Sequence, residues 1–550
     1  MKSLKLIGAF ILILAMGGPS CQKFNLNTDD LDIKLDMNIV KTVLIVQFRD
    51  ANTSSLIGAN DNSRINVSII GDDSQWVVNN SGFHLSDTHS AGGYLTFGLD
   101  PYKAKPSEAD PVRLTLLAEL SGYVSTSVPV VITGEGQQYI SVFMINQVSP
   151  PAGVTISANK NAGNSSDGKV SQNFKVATTN KSLEVTVPVG ISIRDATGNP
   201  LQGKLDLTFV QADPTKLGAG RSFPGGHKVE ATSESGSKDK GSFAPAGFFK
   251  IDIADEYGKH GASFSEGTLE IKAKIDPSVI NPETGQPVKT GDKVGLWNLE
   301  EKTGQWNFVK NIFVGQDPLE LKADLSSGSF ISGGGSWFNF GWLLQNCTAL
   351  LQFSFSSPNG LIGVTQQAEF DIEVISQSGS WEYSGHINIF GTLPVVIGSF
   401  APGNHVITFY YNGDRQLTNS PWLAPNLVTR NFCLYSDGEI IPLVQNTAIL
   451  GHDITFNAEI FCTDRNAALT VPSGTLLHFR EKGTTEWITV TTNGSQVILP
   501  GLILNKTYEV QVLNDASWTP VPPYEYTLGQ PDDPANPYVR NLSFSIDCGG

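Results

Sequence analysis

Apolar and polar residues alternate with a period of two along much of the chain. In Leu269-Glu270-Ile271-Lys272-Ala273-Lys274-Ile275 the alternation is strict. Thr507-Tyr508-Glu509-Val510-Gln511-Val512 and Phe370-Asp371-Ile372-Glu373-Val374 repeat it. Successive side chains on a strand point to opposite faces, so each run predicts a strand with one buried and one solvated face. Thr42-Val43-Leu44-Ile45-Val46-Gln47-Phe48 is almost continuously apolar and predicts a central strand. Turn formers punctuate the runs at Gly71-Asp72-Asp73, Thr197-Gly198-Asn199-Pro200, Asn412-Gly413-Asp414 and Asn493-Gly494-Ser495. No amphipathic helical stretch exceeds about two turns. The pattern therefore predicts an all-β chain of about four β-sandwich domains in series after a signal peptide.

Pro, Gly and Ser clusters divide the series. Val148-Ser149-Pro150-Pro151-Ala152-Gly153, the Gly/Ser run from Gly328 to Ser336, and the stretch from Asp437 to Gln445 are the expected boundaries. They give modules at 38–149, 154–338, 343–436 and 445–550. Arg221 to Ser242 lacks periodicity and reads as a long exposed loop. Pro520 to Pro537 reads as an extended stretch. The modules are expected to stack as a semi-rigid rod.

The N-terminus reads as an address. Lys2 and Lys5 precede an apolar run from Leu6 to Met16, too short to span a bilayer but suited to a signal peptide over residues 1–20. Gly18-Pro19-Ser20-Cys21 resembles the lipobox of bacterial lipoproteins, although Gly18 stands where Leu is usual and Pro19 is atypical. The resemblance implies lipidation of Cys21; ordinary cleavage with Cys21 as a bystander is the alternative. Acyl chains contribute roughly 0.8 kcal/mol per buried CH₂, so two or three anchor stably. Residues 21–37, with Asp29, Asp30, Asp32 and Asp36, form an acidic tether. The implied location is the outer membrane, lipid-anchored, facing the periplasm or the surface; Gln22 after Cys21 is compatible with that sorting.

Composition narrows the function classes. Of 550 residues only 16% are charged, against roughly 25% in average soluble proteins, while Gly numbers 55 and Pro 30. Long helices and coiled coils are excluded. The net charge of -16 opposes binding to a phosphate backbone, so nucleic acid is not an expected partner.

Three modules carry resemblances. In the first, Ile45 to Asp50, an Asp-x-x-Thr turn (Asp50 to Thr53) and Gly122-Tyr123 resemble the carboxypeptidase-regulatory-like, transthyretin-like sandwich. In the second, Ile193 to Leu201 with its Asp195 and Pro200, and the Trp297/Trp306 hairpin, resemble sandwich ectodomains of Bacteroidota surface lipoproteins. In the fourth, Leu477 to Gly483, Trp487, and Leu502 six positions before Tyr508 are similar to fibronectin type III; that spacing implies a tyrosine corner. Leu504 replaces the usual Pro, Cys462 lies in the run where a Trp is usual, and the tail beyond Tyr526 is longer than the family needs.

Cys347 and Cys433 are 86 positions apart, as are Cys462 and Cys548. An exported compartment permits disulfides, and the favoured pairing is Cys347–Cys433 and Cys462–Cys548. Cys433–Cys462 is the rival pairing, and four free thiols the remaining alternative.

Catalytic motifs are missing: there is no His-Glu-x-x-His and no Gly-x-Ser-x-Gly. His84, Asp87 and His89 are the nearest approach to a metal cluster, and Asn60-Asp61-Asn62 and Asp72-Asp73 the nearest to a Ca²⁺ loop; turn chemistry accounts for each equally well. Glu300 and Glu301 point to opposite faces on a strand. No cofactor is expected. Trp297 and Trp306 are candidates for stacking on a glycan, with core packing the plainer role. The reading is a non-enzymatic surface lipoprotein acting in adhesion or as scaffold of a surface complex. Its partners are the membrane, through the lipid anchor, and a surface protein or polysaccharide. A glycan-binding accessory lipoprotein is one alternative; a hydrolase with separated carboxylates is another.

Overall fold

In the computed structural model the alternating runs pair, among the described residues, into ten sheets, and almost all the regular structure there is strand. The structure describes residues 34–35, 39–59, 63–85, 87–225, 228–300, 304–316, 319–326, 336–357, 360–361, 367–376, 381–390, 395–400, 403–411, 416–417, 420, 422–425, 428–431, 440–446, 451–462, 467–485, 487–514, 517–529 and 539–546. Their only α-helix is the short Leu217–Arg221.

The strands group into four sandwiches. In the first, Thr42–Asp50 is central, buried along its whole length, and lies between Tyr94–Leu99 and the parallel strand Gly136–Met144. A three-stranded sheet (Asn66–Ile70, Val112–Glu119, Thr126–Ile132) closes its core around Phe48, Phe97 and Leu116. Asp50 accepts the N–H groups of Asn52 and Thr53 through Oδ1, and Tyr123 Oη donates to its Oδ2 at 3.1 Å. Both parts of the first module's sequence signature thus meet at one carboxylate.

The second sandwich sets an eight-stranded sheet against a four-stranded one that includes Leu183–Val187 and Thr268–Lys274. Ser336–Leu344 pairs with Lys238–Asp255 and Lys293–Glu300, which carries this group to Leu344 rather than 338. The segment read as a loop from Arg221 to Ser242 contains a hairpin instead. Lys228–Thr232 pairs with Lys238–Asp255, and Val229 and Ala231 are buried. Weak local propensity is overridden by pairing with Gln305–Phe313 on the other side. A bulge at Pro245–Gly247 flips the face parity of the long strand. Before it, Phe243 faces outward from the sandwich and Ala244 inward; after it, Phe248 faces outward and Phe249, Ile251 and Ile253 inward. The bulge also accommodates Pro245 within a strand.

The third and fourth sandwiches share one strand order. Cys347–Ser357 pairs antiparallel with Val395–Phe400 and parallel with Ile440–Gln445. Gly451–Cys462 pairs in the same way with Gln496–Ile503 and with Val539–Ile546. Each opposing sheet has four strands in matching order. Ile440–Gln445 therefore belongs to the third group and is not a linker. The extra tail of the fourth module supplies its closing parallel strand. Ser517–Thr527, with Pro520, Pro522 and Pro523, is an edge strand, where missing N–H donors are tolerated. Within the tether, Lys34–Leu35 pairs in parallel with Ala468 and Leu469, so it covers an edge of the fourth sandwich.

The sandwiches do not form a linear rod. The first one touches all the others. One shared core joins its Ala51, Val124, Phe143 and Ile145 to Phe223, Trp306 and Trp337 of the second and Ile375 of the third. Another joins its Val43, Ile45 and Tyr94 to Leu476, Leu513 and Trp518 of the fourth. The outward faces of these strands are apolar enough to be worth covering, and packing against the first sandwich covers them.

Candidate functional site

Polar pairs lock the shared cores in place. The strand Gln367–Ser376 buries Phe370, Ile372 and Val374 in its own sandwich, so Asp371 and Glu373 share the opposite face. That face meets the first and second sandwiches. Arg49 Nη2 lies 2.9 Å from Asp371 Oδ2. Its Nη1 donates to Ser54 O at 2.9 Å, and Gln47 Oε1 accepts at 3.1 Å. Arg221, at the end of the short helix, donates through Nε to Glu373 Oε1 at 2.6 Å and through Nη1 to Ser54 Oγ at 2.7 Å. Tyr410 Oη donates to Glu373 Oε2 at 2.9 Å. Glu373 is only 3% exposed. Elsewhere Arg113 clamps both oxygens of Glu230, and the buried Lys250 ammonium donates to Ser125 O and Oγ. Each of these joins the first and second sandwiches. Charge-assisted bonds of this kind are strong and directional.

Against the fourth sandwich the contact is aromatic. Leu477 and Phe479 face its core, so Leu476, His478 and Arg480 take the other face. The His478 ring is stacked between Trp487 and Trp518, at 3.9 and 3.7 Å between centroids, and its Nε2 is 2.7 Å from Gln511 Oε1. Burial between the indoles lowers the His478 pKa to about 4, aided by the Arg480 charge. Arg480 lies over the Trp487 ring and pairs with Glu509 at 2.6 Å. Tyr139 Oη meets Thr491 Oγ1 at 2.8 Å across the junction.

A separate open pocket of about 290 Å³ lies at one end of the second sandwich, where its two sheets part. Ala246, Phe249, Ile275 and Phe340 are among its apolar lining residues. Asn180, Ser182, Gln211, Asp213 and Asp276 stand at the sides. Ser182 Oγ sits against Asn180 Oδ1 and Gln211 Oε1. The Ser278 hydroxyl and N–H hold the Asp276 carboxyl below its usual range.

The sequence-derived candidates are placed as follows. Trp297 and Trp306 are 6% and 0% exposed; Trp297 Nε1 donates to Gly341 O at 3.1 Å, and Trp306 stacks on Phe223. Their rings are committed to the core shared with the first sandwich, which corrects the glycan-stacking reading. His89 and Asp87 meet at 2.8 Å within a turn, and Asp73 Oδ2 accepts the Arg113 N–H. Among the described residues no group of three His, Cys, Asp or Glu is placed to hold a metal ion. Asn60-Asp61-Asn62, Glu301, Cys21, Cys433 and Cys548 lie outside the described residues. Cys347 opens one central strand and Cys462 closes the other. Cys462 is in register with Ile546, two positions before Cys548 in sequence. The implied tyrosine corner is present: the Ile503 N–H donates to Tyr508 Oη at 2.7 Å.

Sequence reasoning missed the junction residues Arg49, Arg221, Asp371 and Glu373. Their alternation with apolar neighbours reads as a solvated face, and no local signal distinguishes a face covered by water from one covered by another sandwich.

No protein family matches the chain, and no curated protein sequence does. Several solved structures show a likeness. A streptococcal ancillary pilin is 11% identical over 48% of this chain and 95% of that one, with a TM-score of 0.14. BcpA, the major pilin subunit of Bacillus cereus, is 8% identical over 92% and 99%, with a TM-score of 0.14. The C-terminal fragment of the pilus adhesin SpaC from Lactobacillus rhamnosus GG is 12% identical over 36% and 97%, with a TM-score of 0.13. At such values these are likenesses only, and the fold rests on the strand pairings themselves.

Proposed function

We propose that the chain is a non-enzymatic, lipid-anchored surface protein that serves in adhesion or as the scaffold of a surface complex. The observation that carries this reading is the first sandwich wedged among the other three. It joins them through two apolar cores and the Arg49–Asp371 and Arg221–Glu373 pairs. Such an assembly holds its outer faces in fixed relation, which suits presentation of a binding surface rather than movement around a substrate. The anchor is Cys21, placed by its lipobox-like sequence, with the outer membrane as the destination. The partner is a protein or polysaccharide at the cell surface.

The test is performed on intact cells. Metabolic labelling with an alkynyl fatty acid is expected to tag the wild-type chain and not Cys21→Ala. Added proteinase K is expected to degrade the wild-type chain without permeabilisation. Label retained by Cys21→Ala refutes the anchor; complete protection from protease refutes the surface orientation.

A further inference from the structure

We propose that the pocket at the end of the second sandwich binds a single neutral sugar ring, such as the terminal hexopyranose of a glycan. The volume is the first reason. About 290 Å³ is at the lower limit for small-molecule clefts, and one hexopyranose ring fits within it. The lining is the second. Asn180, Ser182, Gln211, Asp213 and Asp276, with amide, hydroxyl and carboxylate groups, line the pocket together with the apolar Ala246, Phe249 and Ile275. A hexopyranose needs that combination: donors and acceptors around the ring edge for its hydroxyls, and an apolar base for its C–H face. Charge is the third. Lys274 lines the pocket together with Asp213 and Asp276, and the Lys216 ammonium acts on the Asp276 carboxylate. Residues of both signs thus lie at the pocket, which favours a neutral ligand over an anion or a cation. The backbone supplies the fourth reason. The bulge that places Gly247 in the pocket wall leaves open space there: a Cβ at Gly247 meets only Ala212 O, at 4.0 Å.

This inference is independent of where the chain is anchored. The detergent-solubilised full chain is titrated with glucose, galactose, mannose and N-acetylglucosamine, and with acetate and methylammonium as charged controls, by saturation-transfer NMR. At least one sugar is expected to bind, with a Kd of about 1 mM for a ligand of that size. Gly247→Leu fills the pocket without backbone strain and is expected to weaken binding about tenfold or more at an unchanged melting temperature. Gln211→Ala, which removes one amide from the lining, is expected to act in the same direction. No saturation transfer to any of the sugars overturns the proposal. So does transfer that survives Gly247→Leu, or transfer to acetate or methylammonium alone.

Discussion

Glu373→Leu is expected to cost the folded chain about 3–5 kcal/mol, the range for breaking one side of a buried ion pair. The side chains of Arg221 and Glu373 are 11% and 5% exposed, which puts the pair well outside the solvent-screened class worth about 0–1 kcal/mol. Removing the carboxylate strands a guanidinium at a three-sandwich junction, where Ser54 Oγ remains as an acceptor but carries no counter-charge. It also removes the acceptor of the Tyr410 hydroxyl. The double replacement Arg221→Met with Glu373→Leu removes both charges and is expected to return to within about 1 kcal/mol of the parent, because no uncompensated charge is left. Urea unfolding of the full chain gives the four free energies of the cycle. Tryptophan fluorescence and circular dichroism are followed together, since a chain of several domains departs from two-state behaviour. Small-angle scattering reports whether the third sandwich separates first. A single-variant cost below about 1 kcal/mol, or a double replacement as damaging as the single one, refutes the reasoning.

Three further outcomes are expected. Tyr508→Phe orphans the Ile503 N–H and is expected to destabilise the fourth sandwich by about 1–3 kcal/mol in calorimetry; an unchanged transition argues against the corner. For His478, the unfolded imidazole takes its proton near pH 6.5 and the folded one near 4. In that interval the unfolded state binds more protons, so stability is level above 6.5 and falls as the pH drops towards 4. NMR titration of the ring checks this, and a midpoint near 6.5 contradicts it. Non-reducing peptide mapping of the exported chain is expected to find Cys347 joined to Cys433 and Cys462 to Cys548, each closure worth about 4 kcal/mol in the chain-entropy picture. A Cys433–Cys462 peptide, or four alkylated thiols, counts against that pairing.

Much of the secondary structure was legible because a strand announces itself locally. The alternation at Leu269–Ile275 and Thr507–Val512 reappears as Thr268–Lys274 and Thr507–Asn514. The tyrosine corner was legible through the resemblance to fibronectin type III, carried by Tyr508 standing six positions after Leu502. The hairpin at Lys228–Thr232 was not. Its short Gly/Ser/Lys-rich sequence acquires strand character only from the neighbours that pair with it. The pocket was hidden as well, because Asn180, Gln211, Gly247 and Asp276 come from separate strands and turns.

The amino-acid order alone determined which side chains share a face, since that follows from the period of two and needs no partner. It therefore supplied the all-β class and the succession of sandwiches. What each outward face meets was decided only by the tertiary structure. Asp371 and Glu373, His478 and Arg480, and Trp297 and Trp306 occupy outward faces that a lone sandwich leaves to solvent. The first sandwich covers these faces instead, and packs the expected rod into a hub. Alternation says which residues lie opposite the core, but contacts between residues more than a hundred positions apart leave no mark in a local pattern.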